Sequence, residues 1–273
     1  DSDPFGATLI YKVYGTVRDL GIESGTVMGK EKVAGLAGCI RGSALRNCYN
    51  KATVCGSSIT GGIFGMCGGV NTVENCYNTG FVQAPITVAG IGGYAASDAS
   101  NTRILNCYNL GKGSAGILGT VNSGTTGVTV ENCFTHNAVA LVSTQNTGII
   151  KDSSTKTAAE IRALAPTLGD AFAEDYQANN WAYPVLAWEN GDAPSSLTEE
   201  NGVYTIGSVE ELRLLSYLVR KGNRFAGKEI LLTTDLDLEN KPWLPIGGAD
   251  EVGDSFFGGI FRGQGHLIYH LKV

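Results

Sequence analysis

Three acidic residues, Asp235, Asp237 and Glu239, alternate along the chain as oxygen ligands do in a calcium loop. The glycine of an EF-hand loop and its closing bidentate glutamate are missing, so the favoured role for these carboxylates is to stabilise a turn. Cleavage of a glycan would need clustered carboxylates, or a lysine or arginine base beside acids, on one face. Charged residues are sparse between positions 30 and 140, and the repeat position held by Glu74 and Glu131 is Arg46 and Leu105 elsewhere. That is the pattern of a solvated surface. His136, His266 and His270 are scattered, so no Ser/His/Asp or Cys/His arrangement offers a nucleophile. None of the seven cysteines forms a CxxC pair, which argues against zinc. The expectation is a non-enzyme with no catalytic residues, no metal and no cofactor.

The cysteines instead mark a repeat. Asn47-Cys48-Tyr49-Asn50, Asn75-Cys76-Tyr77-Asn78, Asn106-Cys107-Tyr108-Asn109 and the worn Asn132-Cys133-Phe134 put cysteines 28, 31 and 26 residues apart (76−48, 107−76, 133−107). Upstream of each copy runs a second phrase: Gly35-Leu36-Ala37-Gly38, Gly62-Ile63-Phe64-Gly65, Gly90-Ile91-Gly92-Gly93 and Gly116-Ile117-Leu118-Gly119. Recurrence at such a period is the signature of stacked, similar units. Each period holds three short apolar runs broken by Gly, Asn, Ser or Thr, and no stretch from 30 to 140 has helical spacing. The L-x-x-L-x-L spacing of leucine-rich repeats is absent, and a propeller blade needs a fourth strand. The chain is therefore expected to be mainly β, a right-handed parallel β-helix with three strands per coil, coils about 4.8 Å apart.

Stacking predicts ladders of like residues. Asn suits bends because it tolerates the left-handed conformation. The four repeat cysteines are expected as buried free thiols, with Cys39, Cys55 and Cys67 left open to one disulfide. If cysteine points inward, Tyr49, Tyr77, Tyr108 and Phe134 form an outward stripe, read either as a stabilising ladder or as a surface for glycan.

Composition bounds the partners. The 273 residues carry 38 glycines, 17% charged residues and a net charge of −6. That balance argues against nucleic acid and anionic membranes, and no apolar run reaches the length of a bilayer span. The expected organisation is a β-helix repeat domain at 1–140, a cap or linker at 141–200, and opening coils at 201–273 with a helix at 209–221. Thr157-Ala158-Ala159-Glu160 and Ser208-Val209-Glu210-Glu211 read as capping boxes, and 181–188 as an aromatic-rich extended run.

Trp243-Leu244-Pro245-Ile246-Gly247 with Phe257-Gly258-Gly259-Ile260-Phe261-Arg262-Gly263-Gln264-Gly265-His266-Leu267-Ile268 resembles the opening coils of GLUG-motif β-helix proteins of bacterial cell surfaces. The Gly-Leu-Ala-Gly and Asn-Cys-Tyr-Asn phrases resemble that family's middle coils, and Tyr183-Pro184-Val185-Leu186-Ala187-Trp188 its closing segment. The resemblance implies an extracellular, cell-surface role in structure or adhesion, and carries over no catalytic residues.

Here the opening coils follow the middle ones, and joining 265–273 to 1–22 reads as an unbroken β-helix passage. Three arrangements satisfy this order: a head-to-tail fibre, a permuted monomer, or one period of a tandem polypeptide. The first is the expectation, with subunits joined through residues 1–22 and 256–273. Its contact residues would be Phe5, Leu9, Val13, Val17, Leu20 and Ile22 on one side. Phe257, Ile260, Phe261, Leu267, Ile268, Leu271 and Val273 would meet them from the other. The alternative is a permuted, monomeric adhesin that binds glycan through its aromatic stripe.

Overall fold

The structure is a computed structural model that describes residues 7–111, 116–125, 127–136, 140–144, 149–250 and 253–273. It is mainly β, with parallel sheets forming a β-solenoid of about 9 turns. The chain divides into two compact units, Asp1–Ala171 and Phe172–Val273.

In the first unit the short runs become strands because turn residues interrupt them every few positions. One wall is a six-stranded parallel sheet of Ile10–Val13, Ala37–Arg41, Phe64–Gly69, Gly92–Ala99, Leu118–Val121 and Val142–Thr144. A second wall starts with Thr16–Ile22 on Ala44–Asn50 and ends with Ile149–Lys151 and Ser154–Lys156. The third is bent into two short sheets, one carrying Thr26–Gly29, Thr53–Gly56 and Val82–Gln83, the other Val33–Ala34, Ile59–Gly61 and Thr87–Ala89. The lumen is filled by Leu36, Ile40, Leu45, Ile63, Phe64, Val73, Ile91, Ile104, Ile117 and Leu118, all buried. The repeat runs past residue 140, where the sequence had indicated a linker. In this sixth coil Asp152 takes the bend at φ 47° and Ser153 the cysteine position, so the phrase is gone while the backbone pairing persists.

Two asparagine ladders fasten the coils. Asn47, Asn75, Asn106 and Asn132 hold the left-handed bend at φ 50–53°. Each donates its amide to the residue one coil earlier, at 2.9, 3.0, 3.2 and 2.9 Å, starting with Asn47 Nδ2 to Asp19 Oδ1. Inside, the donors point the other way, with Asn50 Nδ2 to Asn78 Oδ1 at 2.8 Å and Asn78 Nδ2 to Asn109 Oδ1 at 2.9 Å. The recurrence of glycine at the position of Gly62 has a steric cause: a Cβ there would lie 2.1 Å from the Gly90 carbonyl oxygen and 2.6 Å from Asn78. After Lys156, Thr157 and Glu160 form the expected capping box on the helix Ala158–Arg162. Asn132 Nδ2 also donates to the Thr167 carbonyl at 2.8 Å, tying the segment that follows to the bend ladder.

The second unit stacks Val203–Ile206, Glu229–Leu232 and Ile260–Arg262 in parallel, and Leu236–Asp237 with Ile268–Tyr269. The helix Val209–Arg220 buries Leu212, Leu214, Leu215 and Val219 in a core with Ile206, Ile230, Leu232 and Trp243. Its cap is shifted by one residue: Ser208 Oγ accepts from Glu211 N, but the Glu211 carboxylate accepts from Gly207 N at 2.7 Å. The run 181–188 is not extended throughout. Only Val185–Leu186 is a strand, and a 3-10 turn follows at Ala187–Asn190. The buried Asp175 carboxylate curls the chain by accepting from the N–H groups of Asn179, Asn180 and Ala182 at 2.8, 2.8 and 3.1 Å.

The glycine packing yields a test. Gly62→Ala forces coil against coil and is expected to cost about 1–3 kcal/mol by denaturant titration. A Cβ at Gly15 meets nothing within 4 Å, so Gly15→Ala is expected to change stability by less than about 0.5 kcal/mol. Equal effects would refute the steric account.

Candidate functional site

The last coil of the second unit is assembled on the one before it. Ile268 and Tyr269 pair with Leu236 and Asp237, and Ile260–Arg262 with Glu229–Leu231. Gly265 at φ 84° and His270 at φ 53° form the bends on either side. Leu236 and Leu238 face a covered core, whereas Ile260, Leu267, Ile268, Leu271 and Val273 of the last coil stay exposed, at 57, 54, 43, 57 and 80%. Among the described residues the strand Ile260–Arg262 is paired along one edge only. Phe261 is partly exposed, while Phe257 is committed to its own unit, between Phe225 and Phe261.

Charged groups stitch this coil down. Arg262 pairs with Glu229. Asp235 Oδ1 accepts from Leu267 N at 3.0 Å and meets His266 Nδ1 at 3.1 Å, and Asp237 Oδ1 meets His270 Nδ1 at 2.7 Å. The Leu267 N–H, then His266, hold the Asp235 carboxyl below its usual range; the Glu239 N–H, then His270, do the same for Asp237. The alternating acids therefore brace turns and the next coil. Both histidines looked isolated in sequence, yet His266 follows Asp235 by 31 residues, one coil period.

The first coil of the first unit also has an open edge among the described residues. Ile10–Val13, Thr16–Ile22 and Thr26–Gly29 each pair with the second coil along one edge only, among the described residues. Val17, Leu20 and Ile22 are partly buried against the lumen, Leu9 is exposed, and Val13 is buried in its own core. Phe5 lies outside the described residues.

The aromatic residues do not form an exposed stripe. Tyr77 and Tyr108 are fully buried, and Tyr49 and Phe134 nearly so. Ring centroids lie 5.0 Å apart from Tyr49 to Tyr77 and again from Tyr77 to Tyr108, with planes 13° and 5° from parallel. Residues one coil apart are in register, so like rings lie flat on one another and shield each other's faces. Gly21 leaves room for the Tyr49 ring, since a Cβ there would sit 2.1 Å from Tyr49 Cζ. The faces that a sugar would stack on are thus already covered.

All seven cysteines are free, and the disulfide left open for Cys39, Cys55 and Cys67 is absent. Cys67 is buried in the lumen next to Ile40, whereas Cys39, one residue before Ile40, alternates to the other face, and Cys55 is on a different wall. Burial pushes the thiols of Cys76 and Cys107 well above the ordinary range and that of Cys67 to about 12.

Two measurements follow. In the native protein a thiol-alkylating reagent is expected to reach Cys39 and Cys55, the two partly exposed thiols, and to reach the other five only on unfolding; mass spectrometry of native and denatured samples reads this directly. The depressed Asp235 and Asp237 carboxyls contribute stability that is present above the unfolded pKa, near 3.8, and lost as pH falls through the lower folded values. Acid below about pH 4 is therefore expected to release the last coil first, seen as early hydrogen exchange at Leu267 relative to Ile230.

No protein-family model matches the chain, and no curated protein matches it. Among solved structures, one similar chain is a Bacteroides ovatus protein described as a candidate immunoglobulin A1 protease. The identity is 24% and the TM-score 0.49, over 67% of this chain and 63% of that one. This chain thus spans less than two thirds of that protein's structure.

Proposed function

We propose that this protein is a non-catalytic structural subunit outside the cell, assembling end to end by stacking its last coil on the first coil of a second copy into a surface fibre or stalk. The observation that carries this reading is a match between its two solenoid faces. In the middle coils the inward positions of the second wall hold Leu45, Cys48 and Asn50, with spacings of three and two. The first coil has Val17, Leu20 and Ile22 at those positions. The last coil repeats the same spacing with Ile268, Leu271 and Val273. Cysteine and asparagine, which suit contacts with copies of themselves, are thus replaced at both faces by branched apolar residues that suit one another. Parallel strands with an unpaired edge supply the backbone hydrogen bonds for such a joint, and a heterologous contact of this kind propagates as an open fibre. The resemblance to GLUG-motif surface proteins supports the extracellular placement. Covered ring faces weigh against the glycan-binding alternative.

Electron microscopy and sedimentation of the purified chain over a concentration series test this. Rods lengthening with concentration are expected, and Leu271→Asp, at an exposed position, is expected to leave folded single subunits. Wild-type protein that stays a single subunit at every concentration would refute the proposal.

A further inference from the structure

The left-handed bend ladder has an unfinished end. Asn47, Asn75 and Asn106 each accept from the coil after and donate to the coil before, Asn132 donates to Asn106, and the chain of bonds arrives at Asp19, itself at φ 54°. A carboxylate only accepts, so Asp19 has no N–H to pass on. Its Oδ1 takes the Asn47 amide, and its Oδ2 lies 3.4 Å from Arg18 Nε. A coil stacked before Asp19 extends the ladder only by offering a donor at this bend.

The last coil has such a donor at the corresponding bend. His270 sits at φ 53°, two residues after the apolar Ile268, as Asn47 follows Leu45 and Asp19 follows Val17. A second bend fixes the register independently. Gly265 precedes His270 by five residues (270−265), just as Gly42 precedes Asn47, Asn101 precedes Asn106 and Gly127 precedes Asn132, all with positive φ. Two left-handed bends five apart around an inward apolar residue are the corner geometry of these three coils of the first unit (Gly69 and Asn75 are six apart), and the second unit's last coil reproduces it.

Resting on the end-to-end reading above, we infer that His270 of one copy completes the bend ladder of the next by pairing with Asp19. The imidazole chemistry makes this contact pH-dependent. His270 Nδ1 lies 2.7 Å from Asp237 Oδ1, so a neutral ring that donates from Nδ1 turns the Nε2 lone pair towards Asp19. Only the imidazolium donates from both nitrogens and bridges Asp237 and Asp19. The other charged groups around the pair are Lys241, paired with Glu239, and Lys272 on the histidine side, with Arg18 and Arg46 on the aspartate side. Arg46 is engaged by Glu74 at 2.9 Å, which leaves Asp19 as the acid at this corner. In the same register Tyr269 falls over Arg18 and Leu271 over Leu20. The joint is thereby tighter with the ring protonated than with the ring neutral.

The test is end-to-end association by analytical ultracentrifugation at pH 5.5, 6.5 and 8.0, on wild type, His270→Asn and Asp19→Asn. Asparagine tolerates the bend, and each variant recreates an amide rung already present elsewhere in the ladder. The wild-type association constant is expected to fall roughly fivefold to tenfold from pH 5.5 to 8.0. Both variants are expected to associate with less than about twofold change over that range. Asp19→Asn leaves the internal His270–Asp237 contact intact, so it isolates the joint from any loosening of the last coil. Association that retains the wild-type pH slope in either variant overturns this pair while leaving end-to-end assembly standing. No association of wild type at any pH overturns both.

Discussion

Parallel pairing in register is the constraint on which the remaining features of this molecule depend. Once Tyr77 lies over Tyr49 and under Tyr108, the Asn-Cys-Tyr-Asn residues of the middle coils meet residues of the same kind one coil away. A side chain is then selected for how well it stacks on itself. Aromatic rings lie flat at 5.0 Å, amides hydrogen-bond in chains, and small thiols fill the lumen without polar demand. The glycines follow from the same constraint, because carbonyls and amides of the adjacent coil occupy the space their Cβ atoms would need.

A parallel stack has direction, so its two faces differ. The bend ladder closes on a carboxylate at Asp19, and the inner ladder on Asn50, whose buried Oδ1 has no partner because Ile22 occupies the position above it. The interior coils thus switch abruptly from amide and thiol to branched apolar side chains at the first coil. A buried orphan acceptor costs about 1–3 kcal/mol. The first coil accepts that cost in exchange for an apolar face of Val17, Leu20 and Ile22.

The second unit uses other means. Its coils are padded by the amphipathic helix Val209–Arg220, and its loops are organised by buried polar groups. The Asp175 carboxylate gathers three backbone N–H groups, and Arg213 donates to the carbonyls of Gln177 and Pro242 at 2.7 and 3.1 Å. The last coil is held by the Arg262–Glu229 ion pair and the Asp235–His266 and Asp237–His270 contacts, whereas the bends of the first unit are joined by amide ladders, with ion pairs such as Arg46–Glu74 beside them. Such pairs respond to pH, whereas amides do not.

The period of the Asn-Cys-Tyr-Asn phrase, the density of turn residues and the missing helical spacing were enough to establish the parallel β-solenoid, since those features are local and repeat. They also placed the bends at asparagine and the free thiols in the lumen. Three things needed the folded chain. The sixth coil had lost its phrase, because backbone pairing tolerates Asp152 and Ser153 where the pattern has Asn and Cys. Burial of the tyrosines depends on how closely neighbouring coils lie, which no single period encodes. Asp235 and Asp237 meet His266 and His270 only because one turn of the solenoid brings residues 31 and 33 apart in sequence into contact. Sequence determines which residues stack; the tertiary structure decides which faces the stack leaves open, since exposure belongs to the whole assembly of coils and not to any one of them.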